Sequence, residues 1–319
     1  MAERDWIKRY LAPLVSAPGA AGLTDDTALM ATPAGPVVIT TDAMVEGVHF
    51  LPADPIASVA QKLVRVNVSD ILSSGAEPCE ALLTLGWPAD RSEPELARFA
   101  AALATELAAW GATLIGGDTV VNPAGLFLSL TLTGTCLGPA PVRRGGASAG
   151  DDLWVTGEIG AARRGFLDRD AGQSSSFVAR LQAPELPPKA AAGLVARLAT
   201  AAMDVSDGLL GDALSLAEAS GGGVEINLDQ VPFAGGAAGQ AEALDLATWG
   251  DDYQLLIAAA PTSRDRVVQE AEALGLPISR IGRIRAEAGL VLLDQGGRVN
   301  LPETVAFEHG RIGLSATRP

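Results

Sequence analysis

The stretch that decides the fold is Val37-Val-Ile-Thr-Thr-Asp-Ala-Met-Val-Glu-Gly-Val-His-Phe50. Its first five residues are rich in β-branched side chains and predict a buried strand. Thr40, Thr41 and Asp42 then place three oxygen-bearing side chains in a row, where this strand is expected to end. Hard cations such as magnesium prefer carboxylate, hydroxyl and phosphate oxygens. The stretch is therefore compatible with a metal site, although by itself a solvated aspartate closing a strand is the commoner interpretation.

The same kind of acidic ending recurs along the chain. The acidic positions are Asp25-Asp26, Asp42, Asp70, Gly117-Asp118 and Asp204-x-x-Asp207. Three of them follow predicted apolar strands, which is where sheets with helices place ligand groups. Each one alone is also typical of a turn, a cap or a satisfied helix acid. Two carboxylates about 4 Å apart repel by roughly 4 kcal/mol, so their convergence would require divalent cations.

Length and composition limit the class of protein. A chain of 319 residues with 48% apolar content exceeds one comfortable core and predicts two domains. The formal net charge of -15 argues against nucleic acid or an anionic membrane as a partner. An acidic protein binds a phosphate only through metal ions or local positive groups. Cys79 and Cys136 show no metal-ligand spacing and indicate reduced thiols in a cytoplasmic protein.

The order of elements predicts an α+β protein. Strands are expected at Val37–Thr41, Ala81–Leu85, Thr113–Ile115 and Leu126–Leu137, with long helices after Asp54-Pro55 and Ser92. This order places helices on one face of a sheet in an N-terminal domain, residues 1–138. Residues 139–150 have linker composition. Residues 151–319 are expected to form a C-terminal domain that repeats the scheme more loosely.

Two segments bear on a membrane location. Met1–Tyr10 is charged and lacks the apolar core of a secretory signal. Thr119–Val142 carries no charge, but it contains Asn, Pro and Gly and then alternates as a strand does. We therefore expect a soluble protein without a membrane partner.

Several residues outside the acidic positions are candidates for phosphate contact. Gly116 and Gly117 let backbone amides approach an anion, and Ser206 precedes a helix start that suits phosphate. Neither a P-loop nor a Rossmann fingerprint is present. Arg144 is a candidate positive group for nucleotide phosphates, and a solvated linker arginine is an equally good interpretation. His49 and His309 are the two histidines, which argues against a histidine-based metal site.

Taken together, the motifs closely resemble thiamine-monophosphate kinases. They are Asp25-Asp26, Thr40–Phe50, Asn67-Val-Ser-Asp70, Gly116-Gly-Asp-Thr119, Met203-Asp-Val-Ser-Asp-Gly-Leu209 and Gly250-Asp-Asp-Tyr253, in order over nearly the whole chain. The resemblance implies the fold of aminoimidazole ribonucleotide synthetase, with a homodimer formed through the N-terminal sheets and a C-terminal domain that closes over the nucleotide. It also implies the reaction, in which ATP and thiamine monophosphate give ADP and thiamine diphosphate.

The resemblance also assigns roles to individual residues. The implied ligands of several magnesium ions are Asp26, Thr40, Thr41, Asp42, Asp70, Asp118, Asp204 and Asp207. The implied ATP contacts are Trp110, Gly117, Arg144 and Ser206, and the implied thiamine-side contacts are His49, Asp251 and Phe307. Two positions depart from the family pattern: Thr24 stands where the family usually has Gly, and Asp251 where it usually has Glu.

The implied mechanism is direct in-line transfer of the γ-phosphoryl group. The acceptor phosphate is already an anion at neutral pH, so no protein nucleophile or general base is expected. Relatives within the fold that need a reactive cysteine near either terminus are disfavoured, because the two cysteines lie at positions 79 and 136. The alternatives are another phosphoryl-transfer member of the fold and a non-catalytic regulator that binds magnesium and nucleotide.

Overall fold

The structure, a computed structural model, describes residues 3–23, 28–30 and 35–306. Two sheets with helices confirm the predicted α+β class. Within the described residues, one compact unit comprises the chain up to Ile71 together with Glu77–Cys136. The other comprises Leu72–Ala76 and the chain from Leu137 onward. We refer to them as the first and second units.

The first unit is a sheet with helices packed on it. Its elements are α1 (Glu3–Trp6), a π-helical turn (Ile7–Leu11), 3₁₀ turns (Ala12–Leu14 and Pro18–Leu23), β1 (Val37–Val45), α2 (Ile56–Ser73), β2 (Ala76–Trp87), α3 (Glu93–Trp110), β3 (Thr113–Val121) and β4 (Phe127–Cys136). Helix α3 begins at the predicted capping box of Ser92 and Glu95 and ends at Gly111, whose φ is 75°. The sequence therefore marks both ends of this helix.

The sheet of the first unit has one packed face and one open face. Its strand order is β1-β4-β2-β3, with β1 and β4 antiparallel and β2 and β3 parallel. Leu128, Leu130 and Leu132 of β4 are fully buried, and Ile71 of α2 lies against Gly134 of the same strand. The alternate residues of β1 face outward, and 68% of Ile39 is exposed. Helices α2 and α3 therefore cover one side of the sheet.

The second unit is built on a mixed sheet of seven strands. Its elements are β5 (Asp152–Thr156), α4 (Ala161–Asp170), α5 (Ser176–Gln182), α6 (Ala191–Leu198), β6 (Ala201–Asp204), α7 (Leu209–Ala219), β7 (Gly223–Asn227), a 3₁₀ turn (Leu228–Gln230), α8 (Gln240–Thr248), β8 (Leu255–Ala259), a 3₁₀ turn (Pro261–Ser263), α9 (Arg264–Ala273), β9 (Ile278–Arg285), β10 (Gly289–Asp294) and β11 (Gly297–Val299). The strand order is β11-β10-β7-β9-β5-β8-β6.

Two sequence expectations about the first unit are wrong. Strand β1 continues to Val45 and β3 to Val121, so Asp42 and Asp118 lie within strands and not at strand ends. The apolar run ends at Ile39, but the backbone ladder continues, because residues 40–42 pair with residues 132–130 of β4. Asp204 does end its strand, as expected.

The second unit is not a looser copy of the first, because it contains seven strands against four. Helices α4, α5 and α8 and strands β10 and β11 were not predicted. Helix α4 carries five charged residues among its ten and offers little apolar periodicity to detect.

No helix in the described part of the chain combines the length and apolarity needed to cross a bilayer.

Leu216→Ala is expected to lower the free energy of unfolding by about 2–5 kcal/mol, because it opens a cavity in a packed core. Leu216 is fully buried in the core between α7 and the seven-stranded sheet. Leu167→Ala is the matched control, since this leucine of α4 is 45% exposed and should cost less than about 1 kcal/mol. Urea unfolding measures both, and equal losses would contradict this placement of the core.

Candidate functional site

Strand β1 and helix α2 bring two predicted ligands together in the first unit. The Thr40 hydroxyl donates to Asp70 Oδ2 at 2.5 Å. The Asp42 backbone N–H donates to Asn67 Oδ1 at 3.1 Å, and Asn67 Nδ2 donates to the Leu63 carbonyl at 2.9 Å. Asn67 is fully buried, so its amide ties the strand to the helix at this point. Thr40, Asp42 and Asp70 therefore form one polar group.

The electrostatics of this group favour a bound cation. The pKa of Asp42 is raised to about 6, mainly by burial and in addition by the nearby Asp70 carboxylate. Among the described residues, no three His, Cys, Asp or Glu side chains come together as a metal site on their own. Magnesium, however, is commonly held by one or two carboxylates and completes its shell with water and phosphate oxygens. The Asp42–Asp70 pair and its oxygen neighbours fit that ion.

The Thr41 hydroxyl lies on the other face of β1. Successive side chains of a strand point to opposite faces, and Thr41 Oγ1 accepts a hydrogen bond from the Thr131 hydroxyl at 3.0 Å. Ser129 Oγ lies 3.4 Å from the same atom. The structure therefore brings Thr40 and Asp42 together but separates the Thr41 hydroxyl from them.

Asp118 lies on β3, one of the two edge strands of this sheet, and is exposed. Its Oδ1 accepts the Thr119 N–H at 3.0 Å. A Cβ at position 117 would lie 1.9 Å from the Leu83 carbonyl oxygen, and Gly117 has a φ of 153°, so only glycine fits beside β2. Gly116, Gly117 and Asp118 line a cleft of about 730 Å³ in the first unit, a size typical of small-molecule pockets.

His49 is held in the turn after β1. Its Nδ1 accepts the Val45 N–H at 3.0 Å, which assigns the ring proton of a neutral imidazole to Nε2. The buried Lys62 of α2 donates to the His49 carbonyl at 3.2 Å. Lys62 was not among the predicted site residues, although a lysine on the apolar face of a predicted helix could have indicated it.

Trp110 ends α3, and its indole N–H donates to Glu106 Oε1 at 3.0 Å. Arg65 of α2 binds the same carboxylate through two contacts of 2.7 and 3.2 Å. These contacts set the direction of the indole ring. Trp110 precedes β3, whereas Asp118 lies about five residues, or roughly 17 Å, along that strand. The structure therefore does not bring Trp110 beside Asp118 within the first unit.

In the second unit, residues 204–208 comprise the last residue of β6 and the loop that connects it to α7. We call it the 204–208 loop; it contains the predicted Asp204, Ser206 and Asp207. Its amides are bound by Asp212, whose Oδ2 accepts the N–H groups of residues 206, 207 and 208 at 3.0, 3.0 and 3.2 Å. Burial raises the pKa of Asp212 to about 7, and the Asp207 carboxylate also raises it. Sequence reasoning missed Asp212, although its place in the first turn of α7 was visible.

A second loop, residues 250–253, lies against the 204–208 loop. The Asp251 N–H donates to the Ser206 carbonyl at 2.9 Å, and the Tyr253 N–H donates to the Val205 carbonyl at 2.8 Å. The Tyr253 hydroxyl donates to Asp251 Oδ1 at 3.2 Å. Both Asp251 and Tyr253 have positive φ, at 69° and 51°. The predicted thiamine-side Asp251 is therefore held beside the predicted nucleotide contact Ser206.

Asp252, also missed by sequence reasoning, anchors the 250–253 loop to α4. Its carboxylate accepts the N–H groups of Gly160 at 2.6 Å and Ala162 at 3.2 Å, at the start of that helix. Burial raises the pKa of Asp252 to about 7, and the nearby Asp251 adds to this increase. A buried acid at a helix N-terminus satisfies orphan amides. Asp252 thus links the loop to the body of the second unit.

The remaining predicted residues are placed as follows. Arg144 Nη1 donates to Ser215 Oγ on α7 at 3.2 Å. Asp26 and Phe307 lie outside the described residues. The chain just before Phe307 packs on α7, where Ala306 lies against Gly211. Asp204 is buried at the end of β6.

Known proteins are similar to this chain over most of its length. The model of the AIR synthase related protein, N-terminal domain, matches residues 24–138, and that of the C-terminal domain matches residues 148–295. The chain is 36% identical over 324 residues to a thiamine-monophosphate kinase of Caulobacter vibrioides, covering 97% of this chain and 91% of that protein.

Two solved structures are also similar. The thiamine-monophosphate kinase of Stenotrophomonas maltophilia K279a has a TM-score of 0.77 and 31% identity, covering 93% of this chain and 96% of that one. AaThiL complexed with AMPPCP and TMP has a TM-score of 0.72 and 27% identity, covering 88% and 90%. The similarity therefore extends over both units.

Asp42→Asn is expected to stabilise the metal-free protein at about pH 8. The folded-state pKa of about 6 lies above the ordinary 3.8, so Asp42 favours the folded state below about pH 4, and this contribution is lost as the pH rises through about 6. One pKa unit corresponds to about 1.4 kcal/mol, so the loss amounts to roughly 3 kcal/mol.

Urea unfolding with a chelator at about pH 4 and about pH 8 measures this difference. Asp90→Asn, which changes an exposed carboxylate, is the control and should have a similarly small effect on the free energy of unfolding at both pH values. A wild-type protein as stable as Asp42→Asn at about pH 8 would show that the Asp42 carboxylate is not destabilised by its surroundings.

Proposed function

Since the chain belongs to the AIR synthase related family, and within it to the thiamine-monophosphate kinases, we propose that it transfers the γ-phosphoryl group of ATP to thiamine monophosphate. The products are thiamine diphosphate and ADP. The structural observation that carries this proposal is the partly buried pair of Asp42 and Asp70, supported by Thr40. Such a pair suits a hard cation that also binds phosphate.

Magnesium is the proposed source of positive charge in this acidic protein, whose formal net charge is -15. Bound magnesium would neutralise charge on the transferred phosphoryl group. In the first unit the proposed ligands are Asp26, Thr40, Thr41, Asp42, Asp70 and Asp118, and in the second they are Asp204 and Asp207. The Thr41 hydroxyl points to the opposite face of β1 from the side chains of Thr40 and Asp42, so Thr41 is the least supported ligand of this set.

The other site residues bind and orient the two substrates. Gly117, Arg144 and Ser206 are the proposed contacts for ATP, with Trp110 beside the base. His49, Asp251 and Phe307 are the proposed contacts for the thiamine moiety. The acceptor phosphate is an anion at neutral pH, so the residues need to hold it in line and no side chain has to remove a proton. The proposed reaction needs ATP, and Cys79 and Cys136 are free thiols; both favour a cytoplasmic enzyme.

The decisive experiment is ADP release from magnesium and ATP, with and without thiamine monophosphate and with free thiamine as a control. Release that depends on the monophosphate and yields thiamine diphosphate is the expected result. ATP binding without acceptor-dependent release would support the non-catalytic regulator, and release with a different acceptor would support another phosphoryl-transfer member of the fold.

Asp118→Asn is expected to lower turnover by about 100-fold or more, because one carboxylate that holds the cation is lost. Asp118 is exposed, so the thermal unfolding midpoint should change little. Asp90→Asn, an exposed acid of the same unit, should keep full activity. An active, folded Asp118→Asn enzyme would contradict the metal assignment.

We further propose a homodimer formed through the open face of the first unit's sheet. Three apolar residues of β1 are exposed there: Val37 by 41%, Ile39 by 68% and Val45 by 38%. Apolar side chains grouped on one sheet face are typical of an interface. A second copy of the same face would cover them symmetrically.

Ile39→Lys is expected to shift the protein toward a monomer, because it would bury an unpaired charge in the interface. Light scattering after size-exclusion chromatography measures the mass. Leu167→Lys changes an exposed leucine of α4 in the second unit and should leave the dimer unchanged. A monomeric wild-type protein, or a dimeric Ile39→Lys variant, would contradict the proposed interface.

A further inference from the structure

The 204–208 loop is bound from inside the protein by one oxygen atom. Asp212 Oδ2 accepts the backbone N–H groups of Ser206 at 3.0 Å, Asp207 at 3.0 Å and Gly208 at 3.2 Å. Asp212 is 5% exposed and lies in the first turn of α7. Three donors that converge on one buried acceptor leave the loop backbone little freedom.

This bonding decides which groups of the loop can meet a ligand. The amides of Ser206, Asp207 and Gly208 are used within the protein. What the loop can offer to a nucleotide is therefore the hydroxyl of Ser206 and the carboxylates of Asp204 and Asp207. These groups suit a cation–phosphate complex better than a bare phosphate, which would take backbone amides.

The opposite side of the loop is also held. The Ser206 carbonyl accepts the Asp251 N–H at 2.9 Å, and the Val205 carbonyl accepts the Tyr253 N–H at 2.8 Å. These bonds use the loop's carbonyl groups, whereas Asp212 uses its amides. Without Asp212, one buried and two partly buried donors would lose their acceptor, and the loop would rearrange to satisfy them elsewhere.

We propose that Asp212 is a positioning residue, which sets the geometry in which Ser206 and Asp207 bind the magnesium–nucleotide complex. The identity of that ligand rests on the proposed function. Asp212 acts through the loop backbone and does not itself contact the substrates. Its carboxylate oxygen matters as a hydrogen-bond acceptor for the three amides.

Two substitutions separate the acceptor from the charge. Asp212→Asn keeps one carbonyl oxygen of nearly the same shape, so it can still accept from the loop amides, but it removes the charge. Asp212→Ala removes both. Asp151→Ala is the matched control, because Asp151 is also 5% exposed in the second unit and accepts the N–H of Ser148 at 2.9 Å.

The experiment is calorimetric titration of the full-length protein with AMPPCP in excess magnesium, and with magnesium at saturating AMPPCP. Asp212→Ala is expected to weaken binding by about 10- to 100-fold, the usual cost of losing a residue that orients a metal site. Asp212→Asn should remain within about 3-fold of the wild type. Asp151→Ala should also bind within about 3-fold of the wild type, even if its thermal unfolding midpoint is lowered as much as that of Asp212→Ala.

Two results would overturn the proposal. One is equal binding by Asp212→Ala and Asp151→Ala at similar stability, which would make Asp212 a structural residue. The other is equal loss in Asp212→Asn and Asp212→Ala, which would assign the effect to charge and not to the acceptor. Neither titration uses thiamine monophosphate, so the inference can hold even where acceptor-dependent ADP release is absent and the proposed function fails.

Discussion

Repulsion between neighbouring carboxylates is the constraint on which the candidate site depends. Asp42 is partly buried near Asp70 in the first unit, and Asp207 lies near Asp212 in the second. Such pairs cost free energy in a protein without a cation, and a divalent ion offsets that cost when it binds. In the first unit, the Asp42–Asp70 pair is the proposed place where a cation and a phosphate meet, whereas in the second unit Asp212 binds loop amides and leaves Asp207 as the proposed ligand.

The fold holds these acids in position largely through neutral groups. A hydroxyl from Thr40 binds Asp70, the Asn67 amide binds the backbone of Asp42, and backbone N–H groups bind Asp212. These contacts fix positions without cancelling charge. Strand alternation adds direction, because it places Thr40 and Asp42 on the side of α2 and the Thr41 hydroxyl on the side of Thr131.

Much of this arrangement could be predicted from the sequence, and the failures have physical causes. The α+β class, the capped helix α3 and the family follow from local patterns and ordered motifs. The ends of β1 and β3 do not, because backbone pairing continues after the apolar run stops. Asp252 acts on backbone amides about ninety residues away, which only the folded chain brings near. Asp212 acts on amides only four to six residues before it, but an acid in the first turn of a helix does not by itself show which amides it binds. Helix α4 is charged, and its start is satisfied by that distant carboxylate.

One feature links the two loops of the second unit. A Cβ at position 250 would lie 2.0 Å from the Ser206 carbonyl oxygen, so the loops touch backbone to backbone with no side chain between them. Two direct hydrogen bonds join them at the same place. Because hydrogen bonds already hold both loops, a displacement of one backbone would also move the other. Two ligands that contact these loops would therefore meet a single preformed surface, and little entropy would be lost in ordering it.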